Sequence, residues 1–183
     1  TVKPVSVNVA ASSSDAAFPL YLAPTPRMGL LDGRHANLPW LQESPDQIAK
    51  VVWDSWAEIH PTTAAKMGIS EGDFIKVESA QGSVEVKAVL IKAIHPEVIA
   101  IPLGQGHEDY GRYAKGRGVN PLRILKPTTD AKTGELAMYA TRVKISKTSK
   151  SEPLIRLGHS DTQHGRRLAR TVSVDVLKRT KGA

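Results

Sequence analysis

The chain has 183 residues, 40% hydrophobic and 23% charged, with no cysteine and a formal net charge of +7. That length accommodates one domain with its own core, and no run approaches the roughly 18 consecutive apolar residues that a membrane helix requires. Zero cysteine excludes disulfides, iron–sulfur clusters, thiolate zinc sites and cysteine nucleophiles from this chain.

Residues 1–17 read as an N-terminal arm, Ser- and Ala-rich, with no initiator Met, no basic start before an apolar run and no cleavage signal. FPLYLAP, Phe18 to Pro24, is apolar and ends at proline, which predicts a strand entering the core. PTPRMGLLDGRHANLPW then carries too much Pro and Gly for regular structure, and long loops inside a compact domain usually carry function.

Trp56 to Ile59 predicts a strand. Pro61 suits the first position of a helix, TTAAKM gives about two turns, and Gly68 is placed to end it in a left-handed conformation. Gly72-Asp73 turns the chain into a strand over Phe74 to Ser79, and Gln81-Gly82 turns it into the alternating SVEVKAVLI. After a His95-Pro96 turn, Val98 to Leu103 predicts a buried strand. Lys126 to Glu135 is turn-rich, Leu136 to Ser146 predicts a long strand, KTSKSEP a linker, and the tail ends in a strand-like TVSVDVL.

No repeat of 20 to 50 residues is present, which excludes solenoids and propellers. Six or seven strands with one or two short helices predict a mainly β fold, a closed or nearly closed barrel. The barrel is expected over residues 18–146, with a linker and C-terminal extension over 147–183 packing on the barrel or a partner.

Positive charge concentrates in GQGHEDYGRYAKGRGVNPLRILK, Gly104 to Lys126, where Arg112, Lys115, Arg117, Arg123 and Lys126 follow Gly111 with no acid between. An anionic ligand is a natural partner for such a segment. Neither GxxxxGK[ST] nor GxGxxG is completed here, so the standard nucleotide loops are absent. What remains is general: glycines admit close backbone approach, arginines bind phosphate oxygens bidentately, and Asn120 can donate and accept at a heterocycle edge. Composition alone leaves a ligand loop and a solvated basic connection both open.

The six histidines support no metal site. His159 and His164 flank Asp161 without HExxH spacing, and His35, His60, His95 and His107 sit at turns, where ordinary hydrogen-bonding roles suffice. No GxSxG elbow supports a serine hydrolase. Trp40, Trp53 and Trp56 read as core packing or a wall toward a neighbouring domain. A sequence pI near 9.7 keeps a basic nucleic-acid module as a third class, but aromatic content is only 5% and no RNP, KH or helix-turn-helix signature appears.

Taken together and in order, FPLYLAPTPR, PWLQE, the I-x-P-x-x-A-x-x-x-GI-x-x-GD core, PLGQGH and GRGVNP resemble the C-terminal molybdopterin dinucleotide-binding domain of the dimethyl sulfoxide reductase family. The resemblance runs from about Phe18 to Ser146, with an echo in GHSDTQHGRRLARTV. It implies a six-stranded double-psi β-barrel of the aspartate-decarboxylase-like kind. It implies a domain that helps hold molybdopterin guanine dinucleotide, with the molybdenum or tungsten, its protein ligand and any iron–sulfur cluster held elsewhere. No catalytic residue and no metal ligand are expected in this chain.

Residue by residue, the family's T-G-R turn matches Thr25-Pro26-Arg27, with proline in place of glycine. His35 and Asn37 fall where the family places polar residues near the cofactor, Gln105 and His107 where it places a contact beyond the PLG strand end. Gly118-Val119-Asn120 matches its G-x-N, which makes Asn120 the candidate for hydrogen bonding to the pterin. Arg112, Lys115 and Arg117 are expected to offset phosphate charge. QHGRR in the tail is expected either as a second contact or as a plain interface.

The implied partners are a larger catalytic molybdopterin oxidoreductase chain or domain, with a ferredoxin-like iron–sulfur subunit and a membrane anchor, in a periplasmic or membrane-associated complex. The rival implied by the same resemblance is a structural homologue without cofactor, of the alternative complex III kind, toward which Pro26 points.

Overall fold

The β strands alternate inward and outward side chains, and in a computed structural model covering residues 16–157, 166 and 172–180 they close on themselves. The strands are β1 (Leu20–Thr25), β2 (Trp56–Ile59), β3 (Asp73–Ser79), β4 (Gly82–Leu90), β5 (Val98–Pro102) and β6 (Arg142–Ser151). The short helices are α1 (Pro39–Glu43), α2 (Pro61–Lys66) and α3 (Val174–Thr180), with a 3-10 turn over Pro121–Ile124. The strand order β1-β5-β2-β4-β3-β6 forms a closed barrel, which leaves no strand without neighbours on both sides.

Its interior is aliphatic: Leu22, Ile59, Ile75, Val77, Ile99, Ile101 and Val143 are all fully buried. Each such side chain contributes about 1.5–3 kcal/mol relative to exposure. A smaller second cluster of Ala49, Val51, Trp56 and Val89 packs separately, with Leu154 against it.

Local chemistry accounts for the β2–α2–β3 passage. His60 caps α2 by accepting from Thr62 N at 3.2 Å, Pro61 opens it, and Gly68 leaves it at φ 65°. Gly72, at φ 82°, is required for a second reason: a Cβ there would lie 2.7 Å from the Glu152 carbonyl oxygen.

Four expectations are corrected. The last strand is Arg142–Ser151 rather than Leu136 to Ser146. Leu136 is turned back against Thr129 instead, with Ala137 N donating to Thr128 O at 2.8 Å. The polar KTSKS that reads as a linker is strand because β3 supplies a partner, pairing Ile75 with Lys147 and Asp73 with Ser151; most of its side chains are exposed. The strand-like TVSVDVL contains the start of α3, where Val176 N lies 3.4 Å from Ser173 Oγ and Asp175 occupies the first turn, an N-terminal signal that outweighs β-branched propensity. Finally, PWLQE, whose first two residues close the passage read as irregular, forms α1 with Pro39 opening it.

Strand direction positions the site. β1 and β5 are parallel and end side by side, Thr25 opposite Pro102, so residues 26–38 and 103–120 leave the barrel at one rim. β2 is antiparallel to β5, so the segment before Trp56 reaches that same rim. β2 begins opposite Lys87, which leaves Gly82 to Val86 of β4 projecting past it.

Candidate functional site

Leu103 N donates to Thr25 O at 2.7 Å, tying the ends of β1 and β5 together just before the glycine-rich segment begins. That segment folds back on itself: Gly106 N donates to Arg117 O at 2.7 Å and Gly116 N to His107 O at 2.9 Å. Glycine is required where the two limbs touch. A Cβ on Gly106 would lie 2.3 Å from Asn120 N, and one on Gly118 would lie 2.1 Å from Ser55 Oγ. Both glycines also have positive φ, 84° and 57°.

Neighbouring segments hold this loop. Asn37 Oδ1 accepts from Tyr113 N at 3.0 Å, and Ser55 Oγ accepts from Val119 N at 3.0 Å. Asn120 caps the 3-10 turn, its Oδ1 accepting from Leu122 N at 3.0 Å. Between this loop and the projecting half of β4 lies a cleft of about 240 Å³, lined by Gly106, Gly118, Val119, Asn120, Arg123, Ser83 and Val84.

The basic residues are less free than composition implies. Lys115 Nζ is 2.9 Å from Asp109, and Arg123 pairs with Glu108. Arg112 lies over the Tyr113 ring and bonds its hydroxyl. Arg117 donates through Nε to Tyr113 O at 2.9 Å and stacks 4.5 Å over the ring of Trp53. The Lys115 and Arg123 pairs are solvent-exposed, so they are weak and re-partner readily with a stronger anion.

The expected residues therefore separate. Asn37, His107, Arg112, Lys115, Arg117, Gly118 and Asn120 belong to or touch the one loop. His35 stands on the loop after β1, its Nδ1 3.3 Å from Gly29 O. Arg27 and Gln105 turn inward. Arg27 is 3% exposed, donating through Nη2 to Ser44 O and Val51 O, each at 3.3 Å. Burial pushes its guanidinium below the ordinary value, and Asp46 partly offsets that. Gln105 is buried against Gln42. His107 Nε2 is buried with no hydrogen-bond partner, beside Gly33, whose Cβ would lie 2.7 Å from it.

Of the tryptophans, Trp56 is core, Trp40 is exposed, and Trp53 carries Arg117. Trp53 also has φ 58°, a left-handed conformation rare for a bulky side chain and costing on the order of 1–3 kcal/mol. Sequence reading overlooked Asp54 and Ser55, the backing of the loop, because WDS carries no spacing signal. Among the described residues no group of three or more His, Cys, Asp or Glu could hold a metal ion, and no helix is long and apolar enough to cross a membrane. His159 and His164, and all of QHGRR but Arg166, lie outside the described residues.

The candidate site is thus the rim of a β-barrel crowned by a glycine-rich, cationic loop. The molydopterin dinucleotide binding domain family matches residues 35–140, more than half of the chain, and the chain belongs to that family, within the dimethyl sulfoxide reductase group of molybdopterin oxidoreductases. It is 33% identical over 141 residues to the arsenate respiratory reductase molybdopterin-containing subunit of Shewanella sp. (strain ANA-3), covering 73% of this chain and 16% of the relative. It is 26% identical over 131 residues to the menaquinone reductase, molybdopterin-binding-like subunit of Nitratidesulfovibrio vulgaris, covering 72% and 19%. Acetylene hydratase from Pelobacter acetylenicus shares the fold with a TM-score of 0.56 at 21% identity, covering 72% of this chain and 18% of that one. The chain thus spans less than a fifth of the length of each.

Proposed function

We propose that this chain helps hold a molybdopterin guanine dinucleotide in the cleft beside Gly118 and Asn120, at a site completed by a larger molybdopterin oxidoreductase chain or domain. The observation that carries this reading is the close approach of Gly106 to Asn120, which folds the basic loop into one rim of a cleft. The residues fit such a group. The cap commits Asn120 Oδ1, which aims the remaining amide as a donor. Arg123 lines the cleft in only an exposed ion pair. Asn120 would orient the ring system, while Arg123 and Lys115 would exchange Glu108 and Asp109 for phosphate oxygens. Arg112 and Arg117 add fixed positive charge at the same rim.

The cofactor supplies metal ligation and electron transfer when bound; the chain supplies binding and electrostatics. Its barrel is of the double-psi kind, a reading supported by the two parallel pairs β1–β5 and β2–β4. The metal and any iron–sulfur cluster would reside in the partner, with a ferredoxin-like subunit and a membrane anchor completing a periplasmic or membrane-associated complex.

A second reading, a domain that keeps the fold without the cofactor, draws support from Gln105 spending its amide on Gln42. Asn120→Asp tests the cofactor reading. Aspartate retains the cap acceptor but removes the amide donor, so molybdopterin content should fall roughly fivefold, the worth of one hydrogen bond. Lys132→Ala, in the distant Asp130 turn, should leave it unchanged. Equal, substantial content in both variants would mean that the Gly118–Asn120 turn is scaffolding, and absence of molybdopterin from the unsubstituted assembly would favour the cofactor-free domain.

A further inference from the structure

The turn that carries Gly118 and Asn120 is backed by a relay of polar contacts that begins on β4. Lys87 Nζ lies 2.9 Å from Asp54 Oδ2 and 3.1 Å from Glu152 Oε2, and its side chain is only 12% exposed. Asp54 Oδ1 accepts from Ser55 N at 2.8 Å, which fixes the Ser55 backbone. Ser55 Oγ then accepts from Val119 N at 3.0 Å and sits where a Gly118 Cβ would be. Burial works against the Lys87 ammonium, yet its bonds to Asp54 and Glu152 outweigh that and hold its pKa above the ordinary value. A largely covered cation shared by two carboxylates is held more firmly than a solvated surface charge.

Glu152 belongs to a strap that follows β6 and lies beyond the family match, which ends at residue 140. The strap runs beside the segment that carries Asp54: Val52 N donates to Ile155 O and Leu157 N to Lys50 O, both at 3.1 Å. It is also anchored at its start, Glu152 N donating to Gly72 O at 3.1 Å, and by the Arg156–Glu71 ion pair. Chain after the barrel thus bears on the segment that props the cleft.

We propose that Lys87 is a positioning residue for the Gly118–Asn120 turn, acting through Asp54 and Ser55, and that Glu152 on the strap locks it in place. What the turn holds rests on the cofactor reading; that Lys87 positions it does not.

The test is amide hydrogen exchange in the full chain, within the assembly it purifies with, comparing peptides covering 117–120 with peptides covering β5. Lys87→Met should speed exchange at 117–120 about tenfold, the factor associated with one charge-assisted hydrogen bond. Exchange in β5 should not change, and Lys87→Arg should restore the slow rate. Glu152→Gln, a gentler variant, should give a smaller increase in the same peptides. Unchanged exchange at 117–120 in both Lys87→Met and Glu152→Gln, or an equal rise in β5, would overturn the proposal. If exchange rises as expected but molybdopterin content stays constant, positioning stands and the cofactor reading is what fails.

Discussion

Gln42 and Gln105, 63 residues apart, exchange hydrogen bonds across the rim: Gln105 Nε2 donates to Gln42 Oε1 at 2.6 Å and Gln42 Nε2 to Gln105 Oε1 at 3.2 Å. Gln42 Nε2 also donates to Ala36 O at 2.7 Å. The pair staples α1 and the loop after β1 to the start of the glycine-rich loop. Gln105→Ala removes the donor for a fully buried Gln42 Oε1, so it should destabilise the chain by about 1–3 kcal/mol. Chemical denaturation checks this, and a double-mutant cycle with Gln42→Ala should show coupling of about 0.5–3 kcal/mol.

Gly116 and Gly118 both have positive φ, but they differ in what surrounds them. A Cβ on Gly116 meets nothing within 4 Å, whereas one on Gly118 collides with Ser55 Oγ. Gly116→Ala should therefore cost only the left-handed penalty of roughly 1–2 kcal/mol. Gly118→Ala should cost more and, unlike Gly116→Ala, reduce bound molybdopterin. Denaturation midpoints and pterin content of the two variants, measured side by side, decide the matter.

Glu58 is a half-buried carboxyl whose pKa is raised, first by burial and less by Asp46, while the hydrogen bond from Trp56 Nε1 at 3.1 Å pulls the other way. A raised folded-state pKa means the protonated form is favoured in the fold, a contribution present at acid pH and lost as pH rises through that pKa. Glu58→Gln keeps an acceptor for Trp56 and cannot ionise. Its melting temperature should exceed that of the native chain at pH 7, and the difference should shrink as pH falls through the ordinary glutamate range. A constant difference across pH would show that burial of the charge is not the cause.

Most of the barrel was legible because its punctuation is local. Pro61, Gly68 and the Gly72-Asp73 turn bracket α2 and β3, and alternation in SVEVKAVLI marks β4. β6 was displaced because its second half is polar and becomes strand only through β3, a partner invisible to local pattern. Pro39 before a Trp-Leu pair was a usable start signal for α1. At the rim, glycine and charge marked the loop that folds over it, and the family resemblance nominated Asn120 as its contact residue. Neither revealed that Glu108 and Asp109 pair with Arg123 and Lys115, nor that Arg27 and Gln105 point inward. Those outcomes depend on long-range packing, as does the backing by Asp54 and Ser55.

The central claim is that the cleft beside Asn120 is occupied by a pterin carrying a guanine nucleotide. The most direct measurement is acid release from the purified assembly containing this chain, with quantification of guanosine monophosphate and pterin alongside molybdenum and tungsten by elemental mass spectrometry. The account predicts guanine nucleotide and pterin in at least stoichiometric ratio to this chain, with one of the two metals present. An intact assembly yielding neither pterin nor nucleotide would contradict it and leave the barrel with an architectural role.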